Sequence, residues 1–143
     1  MPSFTEHIPN LLKIGPIVEV QITPARLYRE VLRKAGKLIP LPVKVVAMID
    51  TGAAISAITP DVITTLGINP IGKIKISTPT STGVDCYQYH VAIVMPNQNT
   101  IETTEIVETP LEGQHIQCLI GRDILRHSVF IYNGSEGIIT ICF

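Results

Sequence analysis

Chemistry enters this chain at Asp50. It stands in Ala47-Met48-Ile49-Asp50-Thr51-Gly52-Ala53-Ala54-Ile55-Ser56-Ala57-Ile58, which is an apolar run, a short polar turn and a second apolar run. A carboxylate placed directly after Val, Ala, Met and Ile side chains is expected to be half-buried, and burying it unpaired is costly. Gly52 is expected to let the turn take a positive φ and to bare nearby N–H groups. Thr51 adds a hydroxyl that can donate or accept. Apolar walls, exposed amides and one carboxylate make a reactive acid, but general acid and general base work at the same time needs a second group. Asp61, Asp85 and Asp123 are followed by Val, Cys and Ile, so Asp-Thr-Gly occurs once.

Other constellations offer less. Cys86 and His90, with His115 and Cys118, superficially supply four zinc ligands. Residues four apart on a strand are about 13 Å apart, too far to share an ion, and residues three apart face opposite sides. No metal and no cofactor are therefore expected. His7 and His127 read as surface or packing residues. The chain has neither a Gly-x-Ser-x-Gly elbow nor a Gly-rich phosphate loop. Its three cysteines, Cys86, Cys118 and Cys142, are odd in number and widely spaced, which points to free thiols rather than a disulfide framework.

The elements that must hold Asp50 follow from periodicity and punctuation. Residues 1–14 read as an arm or a short leading turn, and residues 17–22 as a strand. Thr23 as N-cap with Pro24 behind it predicts a helix running to Lys34, ended by Ala35-Gly36-Lys37. This makes 24–36 a helical insertion. Residues 43–49 form the strand that delivers Asp50, and 55–58 the next strand. Thr59-Pro60 starts a helix that Gly67 closes. Strands are predicted over 71–76, 84–94, 100–107 and 116–120, with a polar, turn-rich tip over 77–83 and a short helix over 122–127. Residues 129–132, the Asn133-Gly134 turn and residues 138–143 make a closing hairpin. The sum is an all-β chain with two or three short helices, a pattern that suits a partly closed barrel.

At 143 residues the chain is expected to be one domain, 15–143 behind the arm. A net charge of −1 and the want of a Lys/Arg-rich cluster argue against nucleic acid or an anionic membrane surface as main partner. No run reaches the roughly 20 apolar residues of a membrane span. The first ten residues have neither a basic nor an apolar leader region, so a cytoplasmic location is expected.

Asp-Thr-Gly alone is most often a β-turn. Here it is followed, in order, by Leu119-Ile120-Gly121-Arg122-Asp123-Ile124-Leu125. The two motifs together resemble the active-site loop and the Gly-Arg-Asn/Asp helix of retropepsin-like aspartic proteases. The likeness runs from about Val43 to Phe143 and is closer to cellular or bacterial members than to viral ones. It implies an aspartic endopeptidase acting on peptide or protein substrates, with Asp50 as its catalytic residue. Because the chain holds one such aspartate and is too short for two lobes, the second carboxylate must come from a second copy across a two-fold axis. A homodimer is thus a condition of activity.

By the same resemblance Thr51 bonds across the axis, Gly52 holds the carboxylates coplanar and Ala53 edges the substrate groove. Gly121, with Arg122 and Asp123, forms the motif packed under the loop. Pro79, Thr80, Ser81, Thr82 and Gly83 are the candidate flap, which alternatively extends to Tyr87 and Tyr89. The apolar C-terminal residues 140–143 pair with their mate across the interface. One departure stands out: Ala54 and Ile55 occupy the place of an acidic residue that pairs with the motif's Arg in retroviral members, so Arg122 needs another partner, Asp61 or a carbonyl. The competing reading is a non-catalytic dimeric peptide-binding or adaptor module of the same fold.

Overall fold

Alternation of inward and outward residues sets the central strands. The structure, a computed structural model, describes residues 1–78 and 80–143. In chain order the strands are β1 (Ser3–His7), β2 (Ile17–Pro24), β3 (Val43–Ile49), β4 (Ala57–Ile58), β5 (Gly72–Thr78), β6 (Ser81–Val94), β7 (Thr100–Glu108), β8 (Cys118–Ile120), β9 (Val129–Asn133) and β10 (Ile138–Cys142). Four short helices interrupt them among the described residues: α1 (Leu11–Ile14), α2 (Arg26–Lys34), α3 (Pro60–Leu66) and α4 (Arg122–Leu125). The molecule is mostly β, with one more helix, α1, than the sequence suggested.

A seven-stranded sheet runs β2-β3-β8-β4-β7-β6-β5, and β2 also pairs with β6. On β3, Val45, Ala47 and Ile49 point inward and are buried. They meet Val20 and Ile22 of β2, Val91 and Ile93 of β6, Ile106 of β7 and Ile120 of β8 in the main core. A second sheet, β1-β10-β9, lays Ile141 into the same core and Ile139 into a smaller cluster with Ile8 and Leu11. Burying side chains of this size is worth about 1.5–3 kcal/mol each, so both sheets are fastened chiefly by aliphatic packing.

Several expectations are corrected here. Residues 3–7 are a strand in register with β10 from Ser3 opposite Cys142 to His7 opposite Ile138. Thr23 and Pro24 do not begin a helix. They end β2, opposite Ala92 and Val91 of β6, and α2 starts from Ala25. A proline lacks the N–H of a ladder donor and suits a strand end, so pairing with β6 overrides the local helix-start signal. Strand β4 covers only Ala57 and Ile58. The closing hairpin turns over residues 134–137, longer than a two-residue Asn-Gly turn. Both edges of β10 are filled within the chain, by β1 and β9, which leaves its main chain no edge for pairing with a mate. The tip expected over 77–83 is shorter, since β5 runs to Thr78 and β6 begins at Ser81, while β8 starts at Cys118 and α4 ends at Leu125. Thr59 precedes α3, Pro60 opens it, and Gly67, with φ +63°, closes it.

Candidate active site

Strands β3 and β8 run parallel, pairing Ala47 with Cys118, Met48 with Leu119 and Ile49 with Ile120. Their equal register brings the residues just beyond them, Asp50 and Gly121, to the same end of the sheet. The Asp50 N–H donates to the Ile120 carbonyl at 2.9 Å, which extends the ladder by one step. Antiparallel β4 lies on the other side of β8, Ala57 opposite Leu119 and Ile58 opposite Cys118. The loop 50–56 therefore leaves β3 and returns as β4, straddling β8.

Asp50 is half-buried at the mouth of that loop. Its Oδ1 accepts from the Gly52 N–H at 2.9 Å and from the Ala53 N–H at 3.2 Å. Among the described residues no donor reaches Oδ2, so one oxygen is fixed by the backbone and the other is left for a further group. Two bonds converging on one oxygen set the plane of the carboxylate. Gly52 does not take the expected positive φ. A Cβ there would lie 3.1 Å from Asp50 Oδ1, tight enough that the carboxylate would have to give by a few tenths of an ångström. Thr51 is exposed, and Ala53 is partly buried.

Three residues after β8 hold the loop from below. Gly121 packs so closely that a Cβ would lie 3.0 Å from the Ala53 carbonyl oxygen and from the Ile55 carbonyl carbon. The Arg122 N–H donates to the Ala53 carbonyl at 2.9 Å and the Asp123 N–H to the Ala54 carbonyl at 3.2 Å. Arg122 Nη1 donates to the Thr51 carbonyl at 2.7 Å. Of the two partners open to it, Arg122 thus takes a carbonyl. The Asp123 carboxylate accepts from the Ser56 N–H at 3.1 and 3.0 Å, from Ser56 Oγ at 2.7 Å and from its neighbour's Ile124 N–H at 3.0 Å. Ser56 Oγ in turn accepts from the Gly121 N–H at 2.9 Å.

Ser56 is the residue that sequence reading passed over. It is fully buried, and a buried hydroxyl needs partners. Its one visible signal was a small polar side chain inside an otherwise apolar stretch. Beneath it Cys118 is also fully buried, and its thiol is pushed up to about 12 by burial first and by the Asp123 charge second.

The β5–β6 hairpin belongs to the same neighbourhood through its stem. Ile74 and Ile76 of β5 and Cys86 of β6 share an apolar cluster with Ile55 of the loop, Ala57 and Leu119. Of the candidate flap residues, Thr80 is in the turn and Ser81, Thr82 and Gly83 begin β6; Pro79 lies outside the described residues. Tyr89 is buried, its hydroxyl 3.4 Å from Glu108 Oε2, and its ionisation is raised by burial and then by the Glu108 charge. Tyr87 is about half exposed, with Lys73 Nζ 5.4 Å from the ring centroid. His90 Nε2 pairs with Glu102 Oε2 at 3.1 Å rather than with a cysteine.

A family model described as "gag-polyprotein putative aspartyl protease" matches residues 42–127, more than half of the chain, with both Asp50 and Arg122 inside the match. The crystal structure of a retropepsin-like aspartic protease from Rickettsia conorii superposes with a TM-score of 0.58 at 12% identity, covering 98% of this chain and 90% of that one. The EIAV protease complexed with the inhibitor HBY-793 gives 0.52 at 19% identity, covering 83% and 92%. The retroviral protease-like domain of Ddi1 from Leishmania major gives 0.50 at 15% identity, covering 88% of each chain. No curated protein sequence matches. At these identities the likeness is one of fold, and the fold is retropepsin-like.

Proposed function

Since the chain belongs to the aspartyl protease family whose model it matches over residues 42–127, we propose that it is an aspartic endopeptidase, active as a homodimer. Asp50 of each copy supplies one half of a catalytic pair. The observation that carries this reading is the Asp50 carboxylate itself: Oδ1 is anchored by the Gly52 and Ala53 N–H groups while Oδ2 is left open at the mouth of the loop.

Two such carboxylates facing each other across a two-fold axis cannot both ionise, so the pair holds one proton between them. The ionised member takes a proton from a bound water, whose oxygen attacks the peptide carbonyl carbon. The protonated member gives its proton to the carbonyl oxygen, and a tetrahedral diol forms. A proton then passes from the diol to the departing nitrogen, the C–N bond breaks, and the pair returns to its starting state. Activity falls on either side of the window in which the pair holds one proton, and that window lies on the acid side.

The other residues serve this pair. Arg122 occupies the Thr51 carbonyl, and the exposed Thr51 hydroxyl bonds across the axis. Ala53 edges the groove, and residues 80–83 of the β5–β6 hairpin close over an extended peptide bound by main-chain hydrogen bonds. Gly121, Arg122 and Asp123 keep the loop rigid, which holds the pair in its productive geometry.

The test is incubation with a mixed peptide library across pH, the unaltered protein against Asp50→Ala, with a pepstatin-type inhibitor as control. Cleavage on the acid side that is lost in Asp50→Ala and blocked by the inhibitor supports the reading. Cleavage unchanged in Asp50→Ala overturns the assignment, and no cleavage by either protein at any pH favours the adaptor reading.

A further inference from the structure

Helix α2 is amphipathic, yet it buries none of its residues. Its apolar arc holds Leu27, Tyr28, Val31 and Leu32, and only Leu32 turns partly inward; Leu27 and Val31, one turn apart, are each 61% exposed. The segment that follows adds Leu38 at 95% and Leu41 at 84%. A helix held on a protein surface ordinarily turns its apolar stripe to the core, and this one does not. It is nonetheless fully formed and anchored. The Arg26 N–H donates to Glu102 Oε1, Arg29 Nε donates to the Pro24 carbonyl, and the N–H groups of Gly36 and Lys37 close its end on the carbonyls of Arg33 and Leu32.

Charge is concentrated on the same segment. Between residues 26 and 41 stand Arg26, Arg29, Arg33, Lys34 and Lys37 against Glu30 alone, a balance of +4. The whole chain has a net charge of −1, so the remainder carries −5. Among the described residues none of these five cations is in an ion pair. The small net charge of the chain thus averages over a basic face and an acidic remainder.

We propose that α2 and residues 35–41 form a docking face for an anionic lipid bilayer surface. Exposed aliphatic side chains flanked by unpaired cations match a boundary where acyl chains lie just beneath negative headgroups. A second copy of this face is a poor occupant, because it would set +4 against +4. Nucleic acid would use the cations and leave Leu27, Val31, Leu38 and Leu41 in water. The segment also lies outside residues 42–127, so the face is an addition to what the family model covers. It would hold the molecule flat on a membrane by its surface, with no spanning helix.

The experiment is co-sedimentation of the 143-residue chain with vesicles of phosphatidylcholine alone, or with about one-third phosphatidylserine, at low and high salt. The protein is expected to sediment with the anionic vesicles, not the neutral ones, and to be released by about 0.5 M salt. Reversing two cations, Arg33→Glu with Lys34→Glu, lowers partitioning by about 30-fold or more. Leu27→Ser with Val31→Ser also weakens it, while peptide cleavage in solution and the circular dichroism spectrum stay unchanged. Equal sedimentation with both vesicle types, sedimentation with neither, or no effect of the charge reversal overturns the proposal. So does retention on an acidic polypeptide or nucleic acid without vesicle binding, or a change of oligomeric state on the Leu27/Val31 substitution.

Discussion

The smallest unit of the account is the set of bonds that fixes one carboxylate. Asp50→Asn keeps an oxygen to accept from Gly52 and Ala53, so the fold should survive and cleavage should vanish, read by circular dichroism beside a peptide assay. Ser56→Ala strips the Gly121 N–H and the Asp123 carboxylate of a shared partner in a buried place. The expected loss is about 1–3 kcal/mol in urea denaturation. Gly121→Ala should cost about 1–3 kcal/mol, because the atoms a Cβ would meet are backbone and have little room to yield. Cys118 supplies a pH signature. Below its ordinary value of 9.0 the thiol is protonated in folded and unfolded chains alike. Between there and about 12 the unfolded chain loses the proton and the folded one keeps it, so stability falls as pH rises. The slope reaches about 1.4 kcal/mol per pH unit, and Cys118→Ala should remove that share of it.

At the scale of elements, local pattern succeeded where local pattern decides. Alternation along 43–49 marks β3 because one face of it is core, and proline-first, glycine-last punctuation marks α3. It failed where a distant partner decides. Thr23-Pro24 carries a helix-start signal that strand pairing with β6 overrules. Strand β1 has only two half-buried positions, Phe4 and Glu6, too faint a pattern to read without β10 beside it. Ser56 was invisible for a related reason: its partners lie 65 and 67 positions away, on Gly121 and Asp123. The Asp-Thr-Gly and Gly-Arg-Asp motifs were legible as sequence, but not the hydroxyl that ties them together. Removing residues 1–7 should therefore lower stability by at least about 2 kcal/mol and bare an edge of β10 that promotes aggregation, seen as a lower urea midpoint and increased light scattering.

For the whole molecule, the proposal makes the catalytic unit larger than the chain. The filled edges of β10 mean that two copies must meet by some contact other than that strand's own main chain, yet the loop end of β3 and β8 must still face its mate. The basic face on α2 lies apart from this demand, in residues outside the family match, so a dimer and a surface-bound dimer are compatible expectations. A sum over the chain conceals this arrangement, because a +4 segment is offset by a −5 remainder.

Subunit mixing tests the shared pair most directly. A fixed amount of the unaltered protein is equilibrated with a ninefold excess of Asp50→Asn protein, and peptide cleavage is followed at acid pH. If each active unit needs Asp50 from both copies, random pairing leaves about a tenth of the unaltered chains with an intact mate, and activity falls to about a tenth. Activity that holds at its starting level under that excess would contradict the account, because one chain would then suffice.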